Sequence, residues 1–371
     1  MRLLVLGGGQ LALMMCWEAA RLPLRFVVYE EDPRAPAFRC AEMAADPLSA
    51  VDEADYVTFE FENVRLDAAE YAHRQGKLRP HLDYLLLKKN RIEERETLQS
   101  LGIPVPRWTV ARSPAEALDV AGKLGRAMAK WPAGGYDGKG QYLLPKEVPE
   151  GSPLLVEEYV EIKREFSIVA ARSEEGDIYF YPPAENHYVD GILVWSYAPT
   201  RAPPEAYGYV EKILEWRRYV GVLAVEFFED RDGRILVNEI APRVHNTGHW
   251  TLETDASQFE NHVRAVLGLG IRRPSAAAPT AMVNIIGVAA PPIRELERLG
   301  KVYWYGKAEA RPRRKMGHVN ITAPTAEEAK ARAGAALKIL YGREFPRLVM
   351  RPRAASARPP SRREEAGRTT G

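Results

Sequence analysis

Apolar and polar stretches alternate along the first 64 residues in a pattern that predicts strands and helices in turn. The apolar run RLLVLG (2–7) leads into glycines, QLALMMCWEAARLPL has the composition of a helix, and RFVVYEED and ADYVTFEFENV predict further strands. This alternation predicts a parallel, doubly wound sheet. Ligands of such sheets bind beyond the carboxyl ends of the strands, where the first glycine run lies.

The same pattern continues through the rest of the chain. Helical stretches are predicted at EYAHRQGK (70–77) and LLLKKNRIEERETLQSLG (85–102), the second ending at Gly102 before the extended IPVP. Strands and short helices follow to about Gly270, and a final unit holds the strand AMVNIIG and the helix TAEEAKARAGAALKILYG. We therefore predict an α/β protein with domains at 1–95, 96–275 and 276–350, the last α+β, and a lid subdomain at about 107–167. The tail 351–371 has almost no large apolar residue and is predicted to be disordered.

Composition narrows the classes of function. A net charge of +2 over 371 residues gives no reason to expect nucleic acid or an anionic membrane as partner, although a nucleic-acid role for the basic tail stays open. The sequence has neither a run of 18 apolar residues nor a signal-peptide pattern, so we expect a cytoplasmic protein. Cys16 and Cys40 form no CxxC pair, which favours reduced thiols over a disulfide or a zinc site.

Two predicted strands each carry one acid in an otherwise apolar setting. Glu226 lies in VLAVEFF and Glu239 in ILVNEIA, and the DG turn between them predicts a hairpin. Mg²⁺ prefers such carboxylate oxygens together with substrate phosphates, so we predict a metal site. The competing interpretation is a pair of acids on a solvated strand face.

A glycine-rich segment could supply contacts to those phosphates. Residues 134–140 read GGYDGKG, and Lys130 precedes them. Glycines expose backbone N–H groups and a lysine adds a mobile charge, so the segment could cover an anionic ligand as a mobile lid that the ligand orders. It lacks the Walker A pattern. A plain hairpin turn with a solvated lysine remains the alternative.

The first glycine run suggests a different cofactor. GGGQLA fits G-x-G-x-x-A after a strand, and Glu30, Glu31 and Asp32 close the next strand about 20 residues later. These features are typical of a dinucleotide site and would favour an NAD-dependent oxidoreductase. The downstream acids and the second glycine segment, however, have no role in hydride transfer.

Together the motifs resemble the ATP-grasp superfamily and, more closely, the N5-carboxyaminoimidazole ribonucleotide synthetase family. The resemblance rests on ordered motifs from residue 3 to about residue 350: GGGQLALM, TFEFENV, GGYDGKGQ, NEIAPRVHNTGHW, SQFENHVRAVLGL and RKMGHVN. It implies that ATP and bicarbonate form carboxyphosphate, whose carboxyl group or released CO₂ is captured by 5-aminoimidazole ribonucleotide in purine synthesis. ATP and Mg²⁺ are the implied cofactors, and a homodimer is the expected assembly.

The resemblance also assigns roles to residues. Those matching its ATP site are Arg91, Lys130, Gly134, Gly135, Tyr136, Asp137, Gly138, Lys139, Gly140, Glu157, Glu158, Tyr159, Val160, Glu165, Asn238 and Glu239, and Glu226 joins Glu239 at the metal. The ribonucleotide would contact Gly9, Gln10, Leu11, Glu62, Asn63, Arg243, Lys307, Arg314 and Lys315. The residues expected to take part in catalysis are Tyr136, Asp137, Lys139, Arg243, His245 and Asn246.

The residue types fit these roles. An acidic pair at a strand edge, Glu157 and Glu158, could accept hydrogen bonds from an adenine amine or ribose hydroxyls. Arginine and lysine suit a 5′-phosphate, and a histidine such as His245, if its pKa is ordinary, could move protons near neutral pH. Structural alternatives stay open: His245, His249 and His318 could simply pack within a loop, and Glu62 could cap a helix.

Three positions depart from the family pattern. Leu13 stands where a polar or basic residue is usual, and Trp131, Pro132 and Ala133 replace a stretch that usually contains an arginine. Tyr188 stands where a histidine is usual, with His187 one position early. Since one step along a strand turns a side chain to the opposite face, His187 cannot be assumed to take that role.

Other functions remain to be distinguished. A formate-using glycinamide ribonucleotide transformylase shares ATP and a phosphorylated ribose. An NAD-dependent oxidoreductase would release no ADP, and an ATP-binding sensor would show no turnover.

Overall fold

The computed structural model describes residues 1–134, 140–151, 153–275 and 278–342. The predicted roles of Gly135, Tyr136, Asp137, Gly138 and Lys139, and the predicted tail, lie outside these described residues. No helix within them is long and apolar enough to cross a membrane.

A parallel sheet forms the N-terminal unit, which confirms the prediction of an α/β protein with a doubly wound start. Its order is β3-β2-β1-β4. The strands are β1 (Arg2–Leu6), β2 (Arg25–Tyr29), β3 (Glu42–Met43) and β4 (Tyr56–Phe59), and the helices are α1 (Gln10–Ala19), α2 (Pro47–Glu53) and α3 (Leu66–Arg74). Leu3 to Leu6 are fully buried because helices and neighbouring elements cover both faces of the sheet.

The predicted helical stretch 85–102 is wrong in one respect, because the chain forms two helices there. These are α4 (Leu82–Lys89) and α5 (Arg91–Ser100). Asn90 between them has an extended backbone with φ of −134°, and its side-chain oxygen accepts from the Ile92 N–H at 3.0 Å. Asparagine competes for backbone groups in this way, so it starts a new helix rather than continuing the old one.

The expectation of reduced thiols is also wrong, since Cys16 and Cys40 form a disulfide. Cys16 lies on α1, and Cys40 follows a short 3-10 helix, Pro36–Arg39, that packs against α1. The two residues are 24 positions apart, with Cα atoms 6.1 Å from each other. Sequence spacing gave no sign of this pairing because the packing of two non-adjacent elements produces it.

A small antiparallel sheet follows in the order β5-β8-β6-β7. Its strands are β5 (Trp108–Ala111), β6 (Ala127–Lys130), β7 (Gln141–Leu144) and β8 (Leu154–Glu158), and α6 (Pro114–Leu124) packs on it. Small apolar residues such as Ala117 and Ala129 form its core. Lys130 ends β6 and therefore projects where the glycine segment begins.

The largest sheet is antiparallel, with the order β14-β13-β9-β11-β12-β15-β17-β16 and with β10 paired to β9. The strands are β9 (Ile162–Arg172), β10 (Ile178–Phe180), β11 (Ala184–Val189), β12 (Ile192–Ala198), β13 (Gly221–Asp230), β14 (Ile235–Ala241), β15 (Thr280–Ile286), β16 (Lys301–Trp304) and β17 (Lys315–Thr322). The remaining helices are α7 (Pro204–Trp216), α8 (Gln258–Val266), α9 (Ile293–Leu296) and α10 (Ala326–Tyr341). Through the β12–β15 pairing, the predicted C-terminal unit extends the central sheet rather than forming a sheet of its own.

Candidate active site

The predicted hairpin of two acidic strands is present. β13 and β14 pair antiparallel with Glu226 directly opposite Glu239, so both carboxylates project from the same face. His245 follows β14, and its ring, with the two carboxylates, places three possible ligand atoms within 4.8 Å of one another. The sequence pattern identified the acids, and the structure adds the histidine.

The electrostatics of this cluster suit a cation. Burial and the facing Glu239 raise the pKa of Glu226 to about 8. Burial opposes the ionisation of Glu239 too, but Lys88 and Arg91 hold the pKa of its carboxyl at about 2. A divalent ion would remove the repulsion between the pair, and two hard carboxylate oxygens are ligands that suit Mg²⁺ or Mn²⁺.

His245 does not have the ordinary pKa that proton transfer near neutral pH would require. Burial, reinforced by the charge of Arg243, lowers the pKa of His245 to about 3. The ring is therefore neutral at physiological pH and suited to act as an acceptor or metal ligand.

The cluster opens into a cleft of about 1300 Å³. Residues of both antiparallel sheets line it, together with α1 and the segment that follows β4, and most predicted site residues are among them. Those lining residues are Gln10, Leu11, Glu62, Asn63, Arg91, Lys130, Gly134, Glu157, Glu158, Tyr159, Val160, Glu165, Glu226, Asn238, Glu239, Arg243, His245, Asn246, Lys307, Arg314 and Lys315. Gly9 and Gly140 are not part of this lining.

One end of the cleft carries a buried ion network. Glu157 is 2% exposed and pairs with Lys130 on β6 and, at 2.5 Å, with Arg95 on α5. Burial alone would raise the pKa of Glu157, yet the two cations hold it at about 2. Arg95 also donates to the Asn238 carbonyl at 2.7 Å. The network thus joins α5, the small sheet and β14 around Lys130.

These pairings change what the acids predicted for the adenosine pocket can do. Glu157 is engaged as described, and Glu158 accepts from Arg107 at 2.7 Å and from Arg234 at 3.2 Å. Both carboxylates are therefore already paired with cations of the chain itself. Burial raises the pKa of Glu165, which lies in the cleft, to about 7.

The first glycine run binds the chain's own acids. The Gly8 N–H donates to Glu30 at 3.0 Å, and the Gly9 N–H donates to Glu60 at 2.9 Å. A dinucleotide site needs those N–H groups for a pyrophosphate, which two adjacent carboxylates would repel. The geometry therefore argues against the NAD-dependent oxidoreductase.

Basic residues also line the cleft. Arg243, Lys307, Arg314 and Lys315 all line it. Arg243 is already paired with Glu62 at 2.6 Å, so two predicted substrate contacts bind each other. Arg314 donates to the Glu309 carbonyl at 3.0 Å. Lysine and arginine side chains converging in this way can match a phosphate dianion.

Asn246 is held by a buried network. Its amide exchanges hydrogen bonds with Asn284 at 2.8 and 3.1 Å, and its Nδ2 lies 2.9 Å from Nδ1 of His249. Tyr305 connects His249 to His318, and both histidines are fully buried. His249 and His318 are therefore core residues, and Asn246 is positioned before any ligand arrives.

The three departures from the family pattern have structural outcomes. Leu13 is fully buried in α1 and makes no contact with the cleft. The Pro132 carbonyl accepts from the Arg91 N–H at 2.8 Å, so the segment around it contributes backbone rather than a cation. Tyr188 lines the cleft, whereas His187 stacks on Trp195 at 3.9 Å and pairs with Glu185.

Sequence reasoning missed several residues of the cleft or its support. They are Glu60, Lys88, Glu94, Arg95, Arg311 and Arg313. Lys88 contacts Glu94 at 2.9 Å and Glu239 at 3.6 Å. Arg95 could have been found, because it lies four residues after Arg91 and so on the same face of α5. Glu60 and Lys88 gave no comparable signal.

The facing carboxylates, the lysine-bearing small sheet across the cleft and the preceding parallel sheet define an ATP-grasp enzyme. Sequence profiles agree: the ATP-grasp domain matches residues 96–259, the ribonucleotide synthetase preATP-grasp domain matches 1–88, and the phosphoribosylaminoimidazole carboxylase C-terminal domain matches 280–332.

Individual relatives identify the family. An N5-carboxyaminoimidazole ribonucleotide synthase from Saccharolobus solfataricus is 40% identical over 91% of this chain and 95% of its own length. The phosphoribosylaminoimidazole carboxylase ATPase subunit from Aquifex aeolicus superimposes with a TM-score of 0.80 at 37% identity, covering 92% of this chain and all of the other. An Aspergillus clavatus N5-carboxyaminoimidazole synthase, solved with ADP and 5-aminoimidazole ribonucleotide, gives 0.80 at 30% identity, covering 91% and 98%. The chain belongs to the N5-carboxyaminoimidazole ribonucleotide synthase family of ATP-grasp ligases.

Proposed function

We propose that this chain carboxylates 5-aminoimidazole ribonucleotide at the expense of ATP. A bicarbonate oxygen attacks the γ-phosphorus of ATP, the bond from that phosphorus to the bridging oxygen breaks, and ADP leaves. The carboxyl group of the resulting carboxyphosphate, transferred directly or as CO₂, then bonds to the exocyclic amine. Phosphate and one amine proton are released, and the product is N5-carboxyaminoimidazole ribonucleotide.

One observation carries this proposal: a single cleft is lined by two chemically different sets of residues. The set with Lys130, Glu226 and Glu239 suits a nucleoside triphosphate and its metal, and the set with Lys307 and Arg314 suits a second, phosphorylated substrate. An enzyme that transfers a group between two bound molecules needs both sets in one cavity, because transfer requires the reacting groups to meet. Family membership names the two substrates.

The residues divide the work by position. Lys130 would contact the ATP phosphates. Asn246 and His245, which also line the cleft, would orient bicarbonate or the amine. Glu226 and Glu239 would hold Mg²⁺, which would offset the charge that develops in phosphoryl transfer.

The decisive assay measures ADP release and fixation of labelled bicarbonate side by side. We expect both at equal rates, and only when ATP, Mg²⁺, bicarbonate and aminoimidazole ribonucleotide are all present. Formate replacing bicarbonate, with glycinamide ribonucleotide as acceptor, would instead identify the transformylase. Binding of ATP without turnover on any acceptor would identify a sensor, and both results would refute the proposal.

Two broader expectations go with this function. The family resemblance supports a homodimer, which light scattering coupled to size-exclusion chromatography would test. A role in purine synthesis supports a cytoplasmic location, which cell fractionation would test.

A further inference from the structure

Tyr188, which stands where the family usually has a histidine, contacts one of the two facing acids. Its hydroxyl lies 2.6 Å from Oε1 of Glu226, the carboxylate on β13 that faces Glu239. The two residues are 38 positions apart and come from strands that are not neighbours, since β9 lies between β11 and β13. Tyr188 therefore reaches across a strand to the proposed metal ligand.

The backbone directs Tyr188 into the cleft. The pairing of β11 with β12 shifts register between His187 and Tyr188, which marks a bulge. Bulges re-aim the side chains that follow them and are frequent beside active sites. His187 anchors the other face by stacking on Trp195 and pairing with Glu185 at 3.2 Å. The tyrosine is thus held in its direction by its neighbour.

The chemistry of the contact is one-sided. When a cation is bound, Glu226 is ionised and only accepts hydrogen bonds, so the phenol is then the donor. The bond occupies one lone pair of Oε1 and restricts rotation of the Glu226 carboxylate. Glu226 is 6% exposed, so little water is available to hold it in the same way. Such hydrogen bonds behind a ligand orient it for the metal, and their loss typically weakens metal affinity by about 10- to 100-fold.

We propose that Tyr188 is a positioning residue that holds Glu226 in the orientation needed to bind the divalent cation. The inference rests on the proposed metal role of Glu226 and Glu239. It assigns the tyrosine to the metal rather than to the nucleotide, so nucleotide binding without metal should not depend on its hydroxyl.

The test is direct binding of Mn²⁺, followed by electron paramagnetic resonance, to the full chain saturated with ADP. Tyr188→Phe removes only the hydroxyl, and we expect it to weaken Mn²⁺ binding by about 10- to 100-fold. Tyr303→Phe is a matched control, because the Tyr303 hydroxyl makes a similar bond of 2.7 Å to Glu253 outside the cleft lining. It should bind Mn²⁺ like the wild type. ADP affinity in the presence of EDTA should be the same in all three proteins.

Activity gives a second, independent readout. In Tyr188→Phe the Mg²⁺ concentration for half-maximal rate should rise by a similar factor, while kcat at saturating Mg²⁺ stays within about threefold of the wild type. Wild-type Mn²⁺ affinity in Tyr188→Phe would overturn the inference, as would equal losses of Mn²⁺ and metal-free ADP binding. The wild type should bind Mn²⁺, and Glu226→Gln should abolish that binding. If either result is not obtained, the proposed metal role of the two acids fails instead.

Discussion

Glu226 and Glu239 are costly residues to place opposite each other in a hairpin, because the Glu226 side chain is buried. Like charges on directly opposed strand positions repel, and burial increases the penalty. The structure relieves only part of this cost, through Lys88 beside Glu239 and the Tyr188 hydroxyl beside Glu226. A pair of acids that is costly without a cation and favourable with one is what a metal site requires.

Replacing either acid by glutamine tests this directly. Glu226→Gln and Glu239→Gln should each lower kcat by about 100-fold or more, because a charge-stabilising contact in the transition state is lost. Steady-state ADP release at saturating substrates measures the effect. Glu229→Gln is the control on the same strand, since Glu229 pairs with Lys163 and Arg164 and is absent from the cleft lining. Full activity in both cleft variants would refute the metal assignment.

The basic residues that line the cleft allow a test of which substrate each of them binds. Lys307→Ala and Arg314→Ala should each weaken ribonucleotide binding by about 2 to 5 kcal/mol, because a charged partner of the phosphate is removed. ATP affinity should be nearly unchanged. Calorimetric titration with each ligand separately measures both quantities, and Arg332→Ala, on α10, serves as control. Equal losses for both ligands would place the phosphate elsewhere.

Arg243 needs a different design because of its partner. Arg243→Ala would leave the half-buried Glu62 without its ion pair, and Glu62 would then repel the substrate phosphate. The measured loss of affinity would reflect Glu62 as much as the lost arginine. The double variant Glu62→Gln with Arg243→Ala separates the two effects.

At the scale of residues, the sequence predicted those residues of the cleft that belong to local motifs. It located both acids, Lys130 and the basic residues because their types and spacing are local features. It could not locate Lys88 or the Tyr188 contact, whose partners are brought close only by chain topology and by a bulge. It also gave Glu157 a ligand role that ignored Arg95, 62 positions away in the chain.

At the scale of elements, the break between α4 and α5 connects stability to ATP binding. Asn90 caps α5, and Arg91, the next residue, lines the cleft. Asn90→Ala should lower the free energy of unfolding by about 1 kcal/mol, because an N-cap acceptor is lost. It should also weaken ATP binding, since the first turn of α5 frays. Urea unfolding and nucleotide titration measure the two effects.

Asn90→Asp is the matched control, because it keeps an acceptor oxygen at the cap. It should behave like the wild type in both measurements. Loss of ATP affinity in Asn90→Asp with unchanged stability would show that the amide itself, rather than the cap, matters.

Elements were predicted well where pattern and length agree. β13 and β14 were recognisable because apolar strands flanked a DG turn, and α10 because Thr325 caps it ahead of Glu328. The sequence pattern predicts one continuous helix over 85–102, because the residues on either side of Asn90 are compatible with a helix. One side-chain hydrogen bond decided the outcome, and a composition pattern does not encode it.

At the scale of the whole molecule, buried histidines should make stability depend on pH. His262 bonds Thr58 of β4 and the Val222 N–H of β13, and burial lowers its pKa to about 4. Burial likewise lowers the pKa of His318 to about 3. Below the unfolded value of about 6.5 the unfolded chain takes up protons that the folded chain refuses. The contribution of the two neutral histidines to the free energy of unfolding is therefore complete above pH 6.5. It is lost as pH falls towards their folded pKa values, about 4 for His262 and about 3 for His318.

Between pH 6.5 and pH 5, each histidine should cost about 2 kcal/mol of stability. Urea unfolding at several pH values measures this slope. His262→Gln, which cannot take up a proton, should be less stable at neutral pH but should show a shallower dependence. An identical slope in wild type and variant would contradict the assignment.

The Cys16–Cys40 bond is a second property of the whole chain. Unfolded protein kept free of reductant should show no thiol that reacts with a colorimetric reagent, and two after reduction. Closing a loop of this length stabilises a fold by about 3 kcal/mol in the chain-entropy account. Cys40→Ser should therefore unfold at lower urea concentration. Reactive thiols in the protein before reduction would contradict the pairing.

The continuous central sheet limits how this chain can be divided. A protein ending at residue 275 would keep β12 but lose β15, whose positions Thr280–Val283 pair with Trp195–Ala198. β12 would change from an interior strand to an exposed edge strand with unpaired N–H and C=O groups. Such edges pair with strands from other molecules. Splitting the gene at the apparent boundary should therefore yield two insoluble halves, and coexpression of both halves, which lets β12 and β15 find each other, should restore soluble protein.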